Sequence, residues 1–384
     1  MKLLIISTPF SGHISPTFKL AESLKNMGHS VDYITTPKWS SAIEKAGAGI
    51  TPHEECSKLS VMIKEAYKTA LSVGSAYDGI IYDELFFLGK ALGDMLKVPV
   101  VRYFPCAAIN KEIMGQLLCG HGFMGIFRLR FVRRRWTDEI CKEIAPSIKD
   151  WTEEVVNNAP EHNIVFVPEW FQPYIADFPF DRYHFVGPSV YDDGETEIPE
   201  CIKNNEQPVI YVSLGTIDNS QLRFYRKCLK AFAGKNARFI ISVGKRIDIV
   251  KLGKVPDNCS VYSYAPQKRI LEYSDLFVTH GGMNSINEAM VNGVPMMVIP
   301  LSNDQPINAK RVEELGLGKR FKVNKLNVDQ LWESITEILS DLQIKSSVRS
   351  AKERLNEKCG GEAAAKLLTS LLAQKDTLRN LSDK

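Results

Sequence analysis

The chain is predicted to be an α/β protein with two doubly wound, Rossmann-like domains, one after the other. Three observations predict this fold class. A chain of 384 residues is too long for one ordinary hydrophobic core. Short apolar runs alternate with longer helical periods, which is typical of parallel sheets flanked by helices. This alternation restarts after a polar, acidic stretch near residue 200. We therefore expect two sheets.

In the first half, the apolar runs predict the strands Leu3–Ser7, Ser30–Thr35, Gly79–Tyr82, Val98–Tyr103 and Ile164–Val167. The first helix is predicted over residues 16–27, with Ser15 as its N-cap and Gly28 after its end. Residues 106–160 break the rhythm with an irregular, helix-rich region, where ligand specificity would vary.

The second half repeats the pattern. Its predicted strands are Val209–Ser213, Phe239–Val243, Val261–Tyr264, Leu276–Thr279 and Met296–Ile299, and it ends in a charged, helical tail. The predicted boundaries are a first domain over 1–190, a linker over 191–207 and a second domain over 208–384. The sequence allows the last helix to return to the first domain.

Composition excludes several classes of protein. Hydrophobic residues make up 44% and charged residues 24%, the values of a globular chain, and the net charge of +3 is too small to indicate a nucleic-acid partner. Eight cysteines without a C-x-x-C pair indicate reduced thiols and a cytoplasmic location. The apolar run at the N-terminus is too short for a signal peptide, and no segment has the length of a membrane span.

The segment from Tyr264 to Gln305 carries the strongest functional signal. A buried strand runs into His280-Gly281-Gly282, and a helix is predicted from about Asn284–Ser285. Glycines let the backbone approach a phosphate, and the N–H groups of a first helical turn attract an anion. A plain glycine-rich turn with an N-capping serine would give the same short pattern. The flanking residues decide between the two interpretations.

Those flanking residues supply partners for the rest of a nucleotide sugar. Tyr264 offers an aromatic face for a base, and Glu288 lies one helical turn on, where it would bind a ribose. Asp304 and Gln305 follow the next strand and suit paired hydrogen bonds to sugar hydroxyls. Near the start of the domain, Ser213-Leu214-Gly215-Thr216 offers a further backbone and hydroxyl cradle. Together they predict a nucleotide-diphosphate-sugar site.

With these residues in place, the chain resembles the family 1 glycosyltransferases, which include the macrolide and glucuronosyl transferases. The resemblance runs from Tyr264-Ala265-Pro266-Gln267 through His280-Gly281-Gly282-Met283-Asn284-Ser285-Ile286-Asn287-Glu288 to Asp304-Gln305 and covers nearly the whole chain. It implies the GT-B fold, in which two facing domains bind the acceptor and the UDP-sugar on either side of a cleft. It also implies that His280, Asn284 and Ser285 bind the diphosphate and that the Ala265 backbone binds the base. Tyr264 stands where the family often has tryptophan, so thymidine stays open beside uridine.

The resemblance also directs attention to His13 and Asp83. His13 follows the first strand and Asp83 ends another strand of the same sheet, and both match the catalytic pair of the family. A carboxylate bonded to one imidazole nitrogen fixes the tautomer and stabilises the imidazolium. His13 in a loop could otherwise be structural, and Asp83 could cap a helix over residues 84–95. The predicted reaction is a single displacement with inversion, in which His13 takes the acceptor's proton.

No Asp-x-Asp is present anywhere in the chain, so we expect no obligatory metal and no cofactor beyond the UDP-sugar co-substrate. The sequence thus predicts transfer of a hexose, glucose first, to a hydroxyl or other nucleophile of a small, largely apolar acceptor. Three alternatives stay open. They are a lipid glycosyltransferase at a membrane surface, a non-catalytic partner protein that binds nucleotide sugars, and an epimerase that converts the donor alone. The sequence does not identify the acceptor, the sugar or the oligomeric state.

One motif lies outside this scheme. Residues 127–136 combine five arginines with aromatic residues. The favoured interpretation is a solvated helix whose apolar face packs on the domain. The less favoured one is a basic amphipathic surface that contacts membrane lipid or an anionic acceptor.

Overall fold

The computed structural model describes residues 1–192, 194, 197–203, 206–215, 220–355 and 359–382, with side chains described up to Ala373 in the last helix. The chain divides into two compact units. The first comprises residues 1–119, 124–193 and 358–384, and the second comprises 120–123 and 194–357.

The first unit is built on one parallel sheet of seven strands. The strands are β1 (Lys2–Ile6), β2 (Ser30–Thr35), β3 (Gly49–Pro52), β4 (Gly79–Asp83), β5 (Val100–Phe104), β6 (His162–Val165) and β7 (Tyr183–Phe185). The helices that follow in this part of the chain are α1 (Ser11–Asn26), α2 (Ser40–Lys45), α3 (Leu59–Val73), α4 (Gly89–Leu96), α5 (Lys111–Cys119), α6 (Arg130–Cys141) and α7 (Trp151–Asn157).

The second unit is built on a parallel sheet of six strands. They are β8 (Val209–Ser213), β9 (Arg238–Ser242), β10 (Cys259–Tyr262), β11 (Leu276–Thr279), β12 (Met296–Val298) and β13 (Gly318–Arg320). Its helices are α8 (Glu200–Lys203), α9 (Leu222–Phe232), α10 (Gln267–Leu271), α11 (Met283–Asn292), α12 (Gln305–Glu314), α13 (Val328–Ser340) and α14 (Leu342–Leu355). The last helix of the chain, α15 (Gly360–Ser382), belongs to the first unit and packs along α1.

Both sheets have the doubly wound order. The first runs β3-β2-β1-β4-β5-β6-β7 and the second β10-β9-β8-β11-β12-β13. Every residue of the central strands β4 and β8 is buried, because helices cover both faces of a parallel sheet. The predicted α/β fold class is confirmed. In each sheet the direction of strand order reverses between two neighbours, β1 and β4 or β8 and β11, and this is where such folds bind ligands.

All ten strands predicted from apolar runs are present, with ends shifted by up to two residues. Three strands were not predicted, namely the sheet-edge strands β3, β7 and β13. Each has only three or four residues, and the Gly318-Lys319-Arg320 sequence of β13 carries no apolar run. Gly318 is required there because a Cβ would collide with the carbonyl of Met296 on β12. Backbone proximity, rather than hydrophobic pattern, defines this edge.

Candidate active site

The strand ends of the first unit bring His13 and Asp83 together. Helix α1 follows β1 and carries His13 in its first turn, while Asp83 is the last residue of β4, the neighbour of β1 in the sheet. The prediction that His13 lies in a loop was wrong, because α1 begins at Ser11, five residues before Pro16. The Ser15-Pro16 pair resembles a helix start, but Pro16 lies inside the helix.

The imidazole of His13 is hydrogen bonded to Asp83. Its Nδ1 lies 3.0 Å from Oδ1 of Asp83, and the His13 side chain is 21% exposed while Asp83 is fully buried. An ionised carboxylate accepts, so Nδ1 carries the proton and Nε2 carries the lone pair of the neutral ring. This is the tautomer that a general base requires.

Asp83 is held by four further donors. Thr8 donates from its hydroxyl at 2.6 Å and from its N–H at 3.2 Å, the Leu85 N–H donates at 2.9 Å, and the Tyr103 hydroxyl lies at 3.5 Å. Burial acts to raise the pKa of Asp83, but His13 and the hydrogen bonds outweigh it and hold the pKa below its usual value. The alternative of a helix N-cap was wrong, since the next helix, α4, begins at Gly89. Asp83 is therefore an ionised, buried partner of His13.

Glu84 is a member of this cluster that the sequence analysis missed. It is 2% exposed, its Oε1 lies 3.8 Å from Nδ1 of His13, and the thiol of Cys106 lies 3.8 Å from the same oxygen. Burial first, and then the negative charge of Asp83, raise the pKa of Glu84 well above its usual value. Glu84 thus keeps its proton where an exposed glutamate is ionised. The signal was present as two adjacent carboxyl residues at the end of a buried strand.

His13, Asp83 and Glu84 also have the spacing of metal ligands. One donor atom from each lies within 4.8 Å of the other two, and no other set of three histidine, cysteine or acidic residues in the described part of the chain does so. The hydrogen bond between His13 and Asp83 and the raised pKa of Glu84 each favour a proton in this cluster. A cation would have to displace both, so the donor set favours proton chemistry.

In the second unit, the loop after β11 forms a glycine-lined seat for His280. A Cβ added to Gly215 or to Gly282 would lie 2.6 Å from the imidazole, so both glycines are needed for the ring to fit. Gly281 has a φ of +85°, which favours glycine. Helix α11 then starts at Met283 with Gly282 as N-cap, about one residue before the predicted start. The first turn of α11 thus begins three residues after His280, and the free N–H groups of such a turn attract an anion.

A polar cluster links α10 to α11. The amide of Gln267 donates to the hydroxyl of Ser285 at 3.1 Å and to the carboxylate of Glu288 at 2.7 Å. Ser285 is buried, Glu288 is half-buried, and Asn284 lies one residue before Ser285 on the same first turn. Tyr264 follows β10 with its side chain 56% exposed, next to the buried Ala265. The structure thus collects the predicted base, ribose and phosphate residues at one edge of the sheet.

The loop after β12 carries Asp304 and Gln305 at the start of α12. The Gln305 side-chain oxygen accepts from the N–H groups of Leu301 and Ser302 at 2.8 and 3.0 Å, so it shapes its own loop. Asn308, which the sequence analysis missed, donates to Asp304 at 2.7 Å and to the Gly281 carbonyl at 3.0 Å. This amide ties the loops after β11 and β12 together.

The first loop of the second unit is described only in part. Ser213 ends β8 opposite Thr279 of β11 and is 6% exposed. Thr216, the other residue predicted in this cradle, lies outside the described residues.

Two doubly wound units, one with a histidine–carboxylate pair at its strand ends and the other with the residues predicted to bind a nucleotide sugar, have the architecture of a GT-B glycosyltransferase. Comparison with known proteins agrees. Residues 189–352 match the family described as UDP-glucoronosyl and UDP-glucosyl transferase. NDP-glycosyltransferase YjiC of Bacillus subtilis (strain 168) is 33% identical, covering 94% of this chain and 95% of that protein.

Two further comparisons concern natural products. Oleandomycin glycosyltransferase of Streptomyces antibioticus is 24% identical over 96% of this chain and 90% of that protein. The crystal structure of the glycotransferase of kitacinnamycin has a TM-score of 0.78 and 28% identity, and covers 96% of this chain and 97% of that one. The chain belongs to the family 1 glycosyltransferases. It is an enzyme that transfers a sugar from a nucleotide sugar to an acceptor.

Proposed function

We propose that this enzyme moves a hexose, glucose first, from a UDP-sugar to a hydroxyl or other nucleophile of a small, largely apolar acceptor, with inversion at the anomeric carbon. The observation that carries the proposal is the 3.0 Å contact between Nδ1 of His13 and the buried carboxylate of Asp83. It fixes a base whose lone pair is on Nε2, and the neighbouring anion stabilises the imidazolium that forms. His13 takes the acceptor's proton as its oxygen attacks the anomeric carbon.

The contacts of the second unit support the donor assignments. Tyr264 offers its exposed face to the base, beside the backbone of Ala265. Glu288, held by Gln267, binds the ribose hydroxyls. Asp304 accepts from hexose hydroxyls, and Gln305 uses its Nε2 group because its oxygen already accepts two N–H groups.

The leaving diphosphate gains negative charge as the glycosidic bond breaks. His280 and the first turn of α11, including Asn284 and Ser285, supply the hydrogen-bond donors and the positive end of a helix dipole for this charge. We therefore propose that the reaction needs no obligatory metal and no further cofactor. Transfer measured after exhaustive chelation checks this, and loss of activity that Mg²⁺ or Mn²⁺ restores would contradict it.

A paired kinetic and binding experiment tests the base. His13→Ala should reduce transfer from UDP-glucose by about three orders of magnitude or more, as removal of a catalytic base does, while UDP affinity stays within a few fold. His121→Ala removes an exposed imidazole as the matched control. Wild-type transfer by His13→Ala would refute the assignment. A thermal-shift panel of UDP- and TDP-sugars then identifies the donor, since the preferred ligand gives the largest stabilisation.

The same assay separates the rivals. An epimerase would convert the donor with no acceptor present, whereas the proposed reaction requires one. A partner protein without catalytic activity would bind UDP and transfer nothing, and the ionised Asp83 beside His13 argues against it. The cytoplasmic location remains our proposal. Eight free cysteines suit a reducing compartment, and no helix among the described residues is long and apolar enough to cross a membrane.

A lipid acceptor is the second candidate, because the segment 126–135 exposes both apolar and basic side chains. An acceptor screen that includes lipid alcohols in mixed micelles beside small phenols distinguishes the two. Transfer to lipids alone would replace the small-acceptor proposal.

A further inference from the structure

The arginine-rich segment, defined as residues 126–136, has an inner side that packs on the first unit. Phe127 is 2% exposed and lies 5.1 Å from Trp136 and 5.5 Å from Trp151, measured between ring centroids. The guanidinium of Arg133 donates to Asp150 at 3.1 Å and to the Phe127 carbonyl at 2.9 Å. These residues account for the packing that the favoured sequence interpretation predicted. Arg133 is therefore a structural residue.

The outer side of the same segment is different. Three large apolar side chains stand in solvent, with exposed fractions of 59% for Ile126, 54% for Leu129 and 68% for Phe131. Four exposed arginines lie between and after these apolar residues. We call the seven residues the outer surface: Ile126, Arg128, Leu129, Arg130, Phe131, Arg134 and Arg135. On α6, Phe131, Arg134 and Arg135 have i, i+3, i+4 spacing and share one helix face.

The arginines of the outer surface are not used in ion pairs that stabilise the described fold. Within the described part of the chain, Arg128, Arg130, Arg134 and Arg135 form no ion pair, whereas Arg133 between them has Asp150. The nearest exposed acid on α6 is Asp138, one turn after Arg134. A single exposed apolar residue needs no explanation, but three within six residues among four unpaired cations do.

The chemistry of this surface selects its partner. A soluble anion would neutralise the guanidinium groups and leave the three apolar side chains in water. A neutral apolar molecule would leave the cations without a counter-charge. A bilayer with anionic headgroups satisfies both, because guanidinium groups remain at the phosphates while aromatic and aliphatic side chains enter the acyl boundary. We propose that the outer surface docks this enzyme reversibly on anionic lipid membranes.

Co-sedimentation with vesicles tests the proposal directly. The intact protein should bind vesicles of phosphatidylcholine mixed with phosphatidylglycerol, should bind phosphatidylcholine alone much less, and should be released by high salt. Arg134→Gln with Arg135→Gln should lower the affinity by about fivefold for each arginine, or roughly 25-fold together. Ile126→Ser with Phe131→Ser should weaken binding even at low salt. Arg133 is left intact because its loss would disturb the fold.

The matched control removes two exposed cations from a helix of the other unit. Arg223→Gln with Lys230→Gln on α9 causes the same change in net charge and should bind vesicles like the wild type. Thermal unfolding and UDP binding, measured for every variant without vesicles, should be unchanged, so a failure here is separable from a failure of the proposed transfer reaction.

Any of three results with vesicles would by itself overturn the proposal. The intact protein remains in the supernatant with anionic vesicles, or the control pair loses as much binding as the arginine pair, or binding is equal for neutral and anionic vesicles. If the arginine pair instead changes KM for a soluble acceptor and leaves vesicle binding unaltered, the outer surface serves acceptor recognition and the membrane proposal is wrong.

Discussion

Two neighbouring carboxyl groups, Asp83 and Glu84, are expected to have opposite protonation states, so an amide at each position should have opposite consequences. Asp83 is ionised because His13 and four other donors face it, whereas burial and the charge of Asp83 keep a proton on Glu84. Asparagine at 83 therefore removes a charge, while glutamine at 84 replaces one neutral group with another of similar shape.

The effect of Asp83→Asn follows from its contacts. One carboxylate oxygen accepts from His13 and the Leu85 N–H, and the other accepts from the N–H and hydroxyl of Thr8 and from the hydroxyl of Tyr103. In either orientation the new NH₂ group faces at least two groups that donate to the carboxylate. Losing two hydrogen bonds to a charged acceptor lowers the free energy of unfolding by roughly 3–6 kcal/mol. The imidazolium also loses its anion, and kcat should fall by about three to four orders of magnitude.

Glu84→Gln should retain kcat within a few fold and gain stability as the pH rises. The folded chain holds the Glu84 proton at a pH where the unfolded chain has released it. The contribution of Glu84 to stability is therefore complete below the unfolded pKa, about 4.3, and is lost as the pH rises toward the raised folded pKa. Glutamine has no such loss. The stability of the variant relative to the wild type should grow by about 1.4 kcal/mol per pH unit in that window.

Denaturant unfolding at pH 5, 6 and 7, paired with kcat from a UDP-glucose transfer assay, measures both effects. Glu44→Gln, an exposed acid of the same unit, corrects for the general loss of one negative charge. If Glu84→Gln inactivates the enzyme as Asp83→Asn does, or if its stability advantage is independent of pH, then Glu84 is ionised in the folded protein and the argument fails.

The donor side yields two further predictions. Gly282→Ala should lower UDP affinity by about tenfold or more without backbone strain, since its φ is −63° and the new Cβ would displace the His280 ring. Isothermal titration calorimetry measures the UDP affinity. Gly115→Ala is the control, because no atom lies within 4 Å of a Cβ at that position. If Gly282→Ala binds UDP as tightly as the wild type, the packing of His280 against Gly282 does not matter for donor binding. Gln267→Leu should raise KM for the donor by roughly tenfold with little change in kcat, because Glu288 loses the 2.7 Å bond that orients it. A fall in kcat at constant KM would show that Gln267 acts in the transition state instead.

The sequence predicts the parts of this fold that depend on hydrophobic pattern. Central strands such as β8 and β11 are continuous buried apolar runs, and their predicted ends agree with the structure. Edge strands such as β13 depend on backbone contacts with a neighbour distant in sequence, which no local pattern records. The start of α1 at Ser11 was missed because the Ser15-Pro16 pair is the stronger local signal for a helix start.

The candidate site shows the same limit. His13 and Asp83 are 70 positions apart, and the parallel arrangement of β1 and β4 made their meeting predictable. Glu84 and Asn308 were not predicted, because their importance arises from burial and from which groups they meet. An acid after a strand is usually exposed, and only the described packing shows that Glu84 is 2% exposed.

In each unit the candidate site lies where the strand order of the sheet reverses, and in the proposed reaction the two sites stabilise opposite charges. After β1 and β4 the first unit buries a carboxylate, so a proton that reaches His13 moves toward negative charge. After β8 and β11 the second unit places the start of α11, so in the proposed reaction the negative charge that develops on the diphosphate approaches the positive end of the helix dipole. The proposed displacement separates charge in this sense, because a proton leaves the nucleophile and an anion leaves the sugar. Because both groups are fixed by backbone and buried contacts, little reorganisation is needed during the reaction, and this preorganisation is where we expect most of the rate acceleration to arise.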